Sequence, residues 1–98
     1  MAKTNNTFNS EFYCTRCGNK GLPIVRRKGY EREAGHLKRI FCLHCKEEVN
    51  HVECKEFTKY TYQDFLVERE RDNFDLEGNR KITYGELKGV INNENLQK

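Results

Sequence analysis

Cys14-Thr15-Arg16-Cys17-Gly18, answered 24 residues further on by Cys42-Leu43-His44-Cys45, is the part of this sequence on which the fold turns. Two cysteines separated by two residues can curl so that both sulfurs and several backbone N–H groups point at one cation. Two such knuckles complete a tetrahedral four-sulfur site with bonds of about 2.3 Å. Gly18 stands where the turn needs a residue free to take positive φ. Four thiolates suit zinc, which has no redox chemistry and asks only for tetrahedral geometry. The expectation is one structural Zn2+ held by Cys14, Cys17, Cys42 and Cys45.

The rest of the composition agrees with a chain that needs such a staple. Only 36% of its 98 residues are hydrophobic, 34% are charged, tryptophan is absent and the mean hydropathy is −0.97. That is enough for one small domain with tails and too little for two independent cores. Metal binding would contribute on the order of 10 kcal/mol to folding. No run of 18 apolar residues exists, so a membrane span is excluded. Met1 to Asn9 is polar and lacks the apolar core of a signal peptide. The cysteines are therefore expected to stay reduced, in the cytoplasm, and to bind metal before they form disulfides. Two alternatives remain for the cluster: iron in a rubredoxin-like site, although the proline flanking the second knuckle there is missing, and four buried thiols without metal.

Five cysteines leave one over. Cys54, in His51-Val52-Glu53-Cys54, reads as a small hydrophobe on a strand, although its spacing would also let His51 or Cys54 replace a member of the first set. His44 lies inside the second knuckle and is expected to face solvent; His36 follows a turn-like stretch with nothing to mark it as a ligand. A catalytic zinc keeps an open position, whereas four thiolates close the shell. An HNH-type nuclease would need a general-base histidine with further metal-binding histidines or acids around it, and the chain offers no His-His or Asp-His pair and no histidine after His51, so an enzyme is not expected.

Residues 1–11 read as a disordered leader, 12–58 as a metal-binding ribbon domain and 59–98 as a helical extension. In the ribbon, Ile24-Val25, Leu37 to Phe41 and Val49 to Phe57 are β-prone. Beyond it, Thr61-Tyr62-Gln63-Asp64 and Thr83-Tyr84-Gly85-Glu86 carry the reciprocal capping pattern of helix starts, with Glu77-Gly78-Asn79 as the turn between the helices. The fold class expected is a small metal-stabilised α+β domain, a three-stranded antiparallel ribbon with a C-terminal helical extension.

Charge is unevenly spread. Residues 12–46 carry nine basic side chains against two acidic, whereas 47–98 carry eight against twelve. If 22–28 and 37–42 pair as a hairpin, then Arg26, Arg27, Lys28, Arg32, Lys38 and Arg39 gather around one projecting ribbon with Tyr30. Such a cluster suits phosphates, with the tyrosine free to stack on a base; it equally suits an acidic protein surface, or is a solvated hairpin. The expected partner is nucleic acid or a nucleic-acid-processing complex, and the sequence does not set the oligomeric state. The rival is a protein adaptor or inhibitor whose helical stripe (Phe65, Leu66, Phe74, Leu87, Val90, Ile91) makes the contact.

Residues 12–57, with both knuckles and the basic excursion between them, resemble the zinc-ribbon group, and more narrowly the small zinc-ribbon proteins encoded by bacteriophages and prophages. The resemblance covers about half the chain. It implies the four cysteines as ligands, a three-stranded antiparallel ribbon, and a binding role in transcription or translation, which for a phage protein would be exercised in the host cytoplasm. Cys54 and the C-terminal helices fall outside the pattern.

Overall fold

The computed structural model describes residues 7–27, 29 and 32–96. Four strands, β1 (Thr7–Cys14), β2 (Ile24–Arg27), β3 (Leu37–Cys42) and β4 (Glu47–Cys54), precede two helices, α1 (Tyr62–Glu70) and α2 (Tyr84–Leu96). The sheet is antiparallel throughout, in the order β2-β1-β4-β3.

Two expectations need correction. The ribbon has four strands, not three, and the extra one is β1, which starts at Thr7 inside the stretch read as a disordered leader. Its polar composition hides an alternation whose inward members, Ser10, Phe12 and Cys14, are buried. Nor do residues 22–28 and 37–42 pair with each other. β2 pairs with the first half of β1 and β3 with β4, so they lie at opposite edges of the sheet. β1 changes partner midway, from β2 at Thr7–Ser10 to β4 at Glu11–Cys14, and this exchange curls the sheet.

β4 is central, and from His51 to Cys54 it is buried on both faces. Alternation along the strand sends Val52 and Cys54 one way and His51 and Glu53 the other. On the first face Val52 and Cys54 pack with Tyr60, Phe65 and Phe74, flanked by Tyr13, Leu37, Tyr62 and Tyr84. This aromatic layer is where the helical extension joins the sheet. On the second face the Arg26 guanidinium lies 5.6 Å from the Phe12 ring centroid and donates to Glu53 Oε1 at 2.9 Å, and His36 bonds the same carboxylate.

The helices start where the capping patterns place them. The Asp64 carboxylate accepts from the Thr61 N–H at 2.8 Å; at Thr83 the exchange is reciprocal, Thr83 N–H to Glu86 at 3.0 Å and Glu86 N–H to the Thr83 hydroxyl at 3.1 Å. The chain between them is ordered by Asp75, whose Oδ1 accepts from the N–H groups of Glu77 and Asn79, both at 2.9 Å. Glu68 of α1 is fully buried. Arg80 donates to both its oxygens, with Nε to Oε2 at 2.8 Å and Nη2 to Oε1 at 2.9 Å, and Tyr60 Oη and Asn73 Nδ2 complete the set. The same arginine lies over the Tyr60 and Phe74 rings. No helix among the described residues is long and apolar enough to cross a membrane.

Candidate metal centre

The two knuckles sit side by side because β1 and β3 flank β4 and end at Cys14 and Cys42. Each strand turns at once into its knuckle by the same device. The N–H of Gly18 donates to Cys14 O at 2.8 Å, and the N–H of Lys46 donates to Cys42 O at 2.8 Å. Both closing residues take positive φ, +80° at Gly18 and 65° at Lys46. The first knuckle thus meets the conformational demand with glycine, and the second holds a lysine in a region that costs an L residue roughly 1–2 kcal/mol.

The four sulfurs of Cys14, Cys17, Cys42 and Cys45 all lie within 4.8 Å of one another. Cys14 and Cys45 approach to 3.8 Å, Cys17 and Cys42 to 3.6 Å. A tetrahedron with metal–sulfur bonds of about 2.3 Å has edges of about 3.8 Å, so the spacing is that of a coordination shell. It is far too long for disulfides, and all five cysteines are free. Backbone N–H groups of Arg16 and Cys17 point at Cys14 Sγ at 3.3 and 3.4 Å, and that of Cys45 points at Cys42 Sγ at 3.4 Å. Such donors stabilise thiolates.

The electrostatics call for a cation. Burial and the neighbouring sulfurs push the Cys45 thiol up to about 12, and burial pushes Cys14 up as well. Cys17 is brought down to about 7, because the hydrogen bonds to its sulfur, those from Asn19 first, outweigh its burial. Four sulfurs this close cannot all ionise unaided. A central cation removes the conflict and deprotonates them together. The cluster can therefore hold a metal ion, and no other group of histidine, cysteine or carboxylate among the described residues is gathered closely enough to do so.

The alternative ligands fall away. Cys54 is buried in the aromatic layer, where burial raises its thiol to about 12 and keeps it neutral. His51 is fully buried; its Nδ1 bonds Val49 O at 2.9 Å, and desolvation lowers its pKa so that the ring stays neutral. His44 is exposed, as expected.

The basic residues do not form one patch. Arg26 is turned inward onto Glu53, with its side chain only 14% exposed, which removes it from the candidate contact surface. Arg27, the last residue of the edge strand β2, and Arg32 are exposed, and Lys38 and Arg39 are exposed along β3, Arg39 lying 3.7 Å from Glu48. Lys28 and Tyr30 lie outside the described residues. Of the helical stripe, Phe65, Phe74 and Leu87 are buried, Ile91 is half-buried, and Leu66 and Val90 are exposed.

Sequence reasoning missed the two buried carboxylates, Glu53 and Glu68. Their arginine partners stand 27 and 12 residues away, and no local pattern marks a glutamate as buried. No protein-family model matches this chain, and neither does any curated protein or solved structure.

Proposed function

We propose that the chain is a non-catalytic binding module whose sheet is closed at one end by a structural zinc ion and whose exposed cations contact nucleic acid or a nucleic-acid-processing complex. The observation that carries this reading is the four-sulfur cluster at tetrahedral spacing. With all four positions taken by cysteine the ion has no site for water or substrate, so it builds a surface and performs no reaction. Zinc is favoured over iron by its indifference to redox state and by the likeness of both knuckles to zinc ribbons. That likeness also supports a role on transcription or translation machinery, and a phage-encoded protein acting on its host is the form of it we favour. A nuclease use of His51 is disfavoured by its burial.

Arg27, Arg32, Lys38 and Arg39 remain on the surface as candidates for phosphate contact. Binding of a fluorescent DNA or RNA oligonucleotide to the zinc-loaded chain should weaken steeply with salt. Four neutralised phosphates correspond to a log–log slope of about −3 to −4. Changing Arg27, Arg32 and Lys38 together to alanine should abolish most of that slope with the fold intact. Binding that survives the triple change, or that shows no salt dependence, overturns the nucleic-acid reading. The rival adaptor reading draws on Leu66 and Val90, 37% and 46% exposed on neighbouring helices. It predicts that Leu66→Ser with Val90→Ser costs binding to a protein partner and leaves oligonucleotide binding unchanged.

A further inference from the structure

The helical extension is fastened to the metal knuckle itself. Thr15 lies between the ligands Cys14 and Cys17 and is buried; its hydroxyl donates to Asn50 O at 3.0 Å and has Gly78 O within reach at 3.4 Å. Gly78 belongs to the turn joining the two helices, and its carbonyl also accepts from Asn50 Nδ2 at 3.1 Å. The fit is tight. Gly78 has φ +84°, and a Cβ there would come within 2.7 Å of the Thr15 hydroxyl and 3.2 Å of Asn50 Cβ. From the last turn of α1, Arg69 Nη2 donates to Arg16 O at 3.4 Å, and its guanidinium lies so close over Gly18 that a Cβ at that residue would be 2.2 Å from Nη1.

From this geometry we infer that Arg69 and the Gly78 turn are positioning residues for the metal centre, and that metal occupancy and docking of the helical extension are coupled. The inference rests on the metal reading above. Backbone bonds from Gly18 N–H to Cys14 O and from Thr15 N–H to Asn50 O begin the shape of the knuckle. An ion held by Cys14 and Cys17 fixes it further, and that shape presents the Thr15 hydroxyl and Arg16 carbonyl to the helices. Coupling between two binding events is reciprocal. If the ion shapes the platform, the docked helices must in turn raise affinity for the ion. Among the described residues the second knuckle makes no such hydrogen bond to the helical extension, so the effect belongs to the first.

The test uses the full chain and Zn2+, with affinity read by competition against a chromophoric chelator. Gly78→Ala should weaken zinc about tenfold, within the usual range for coupled sites. Arg69→Lys keeps the positive charge near the sulfurs and gives up the guanidinium fork, and it should do the same. Gly89→Ala, in a helical position with open space around it, should stay within about twofold of wild type. If Gly78→Ala does not fold, Arg69→Lys decides alone. A wild-type chain that takes up zinc, with Arg69→Lys binding it equally well, overturns the coupling and leaves the metal reading standing. A wild-type chain that takes up no zinc overturns both.

Discussion

The two knuckles share a spacing, a backbone turn and a place in the four-sulfur cluster, yet their surroundings differ. The first, Cys14 to Gly18, lies under the helical extension, with Thr15 buried and Gly18 pressed by Arg69. The second, Cys42 to Lys46, is open: Leu43 is 56% exposed and His44 faces solvent. The motif therefore fixes only where the sulfurs gather. What each knuckle does besides depends on the residues between and after the cysteines, where Thr15 and Gly18 are small enough to be covered and Leu43, His44 and Lys46 are not.

The largest expected effect ignores this difference. Cys14→Ser and Cys42→Ser should each destroy the four-sulfur shell and with it stabilisation on the order of 10 kcal/mol. Both should leave the chain unfolded at 25 °C by circular dichroism; a stable fold in either would separate the knuckles in a way the geometry does not. Next come the buried carboxylate of α1 and the glycine of the covered knuckle. Arg80→Ala leaves the Glu68 carboxylate buried without its charge partner and should cost about 3–5 kcal/mol in urea unfolding. Gly18→Ala should cost about 2 kcal/mol, since it places a methyl against Arg69 in a left-handed backbone position. The equivalent change in the open knuckle has the opposite sign. Lys46→Gly relieves a left-handed lysine and should stabilise by about 0.5–1 kcal/mol, with no change in zinc stoichiometry. Smallest of all, Leu43→Ala and His44→Ala should shift stability by less than about 0.5 kcal/mol. If either is costly, the second knuckle is covered after all.

A pH series sharpens the comparison from the other face of the sheet. Burial alone would raise the Glu53 carboxyl, but the hydrogen bonds to it, including those of Arg26 and His36, outweigh burial and hold it below the usual carboxylate range. A depressed value means the stabilisation is complete above about pH 4.5 and is lost as pH falls through the folded-state value. Glu53→Gln should flatten stability against pH between about 5 and 3 relative to wild type. The difference between the two chains cancels the proton uptake of the thiolates, which both share.

The parts of this fold that were legible in the sequence are the local ones. Two residues between paired cysteines set each knuckle, and two residues between Thr61 and Asp64, or Thr83 and Glu86, set each helix start. The strand Thr7–Cys14 was not legible, because its apolar members are few and its partners, β2 and β4, are distant in sequence. The same distance hid the inward turn of Arg26. A run of basic residues looks alike whether it meets solvent or a buried glutamate, and only the pairing of β1 with β2 brings Arg26 over Phe12 and onto Glu53. The expected hairpin failed for this reason, and the basic surface shrank with it.

The placement of the first and last strands at the centre of the sheet bears on how the molecule is made. Cys45 follows Cys17 by 28 positions. At about 5–20 residues per second, a nascent chain carries its first pair of sulfurs for about 1–6 s before the second pair is complete. During that interval β1 has only β2 beside it, since β4 is not yet synthesised. Half of the four-sulfur cluster thus waits on the ribosome for its other half, and what the two waiting thiols meet first depends on the thiols and loosely held metal around them.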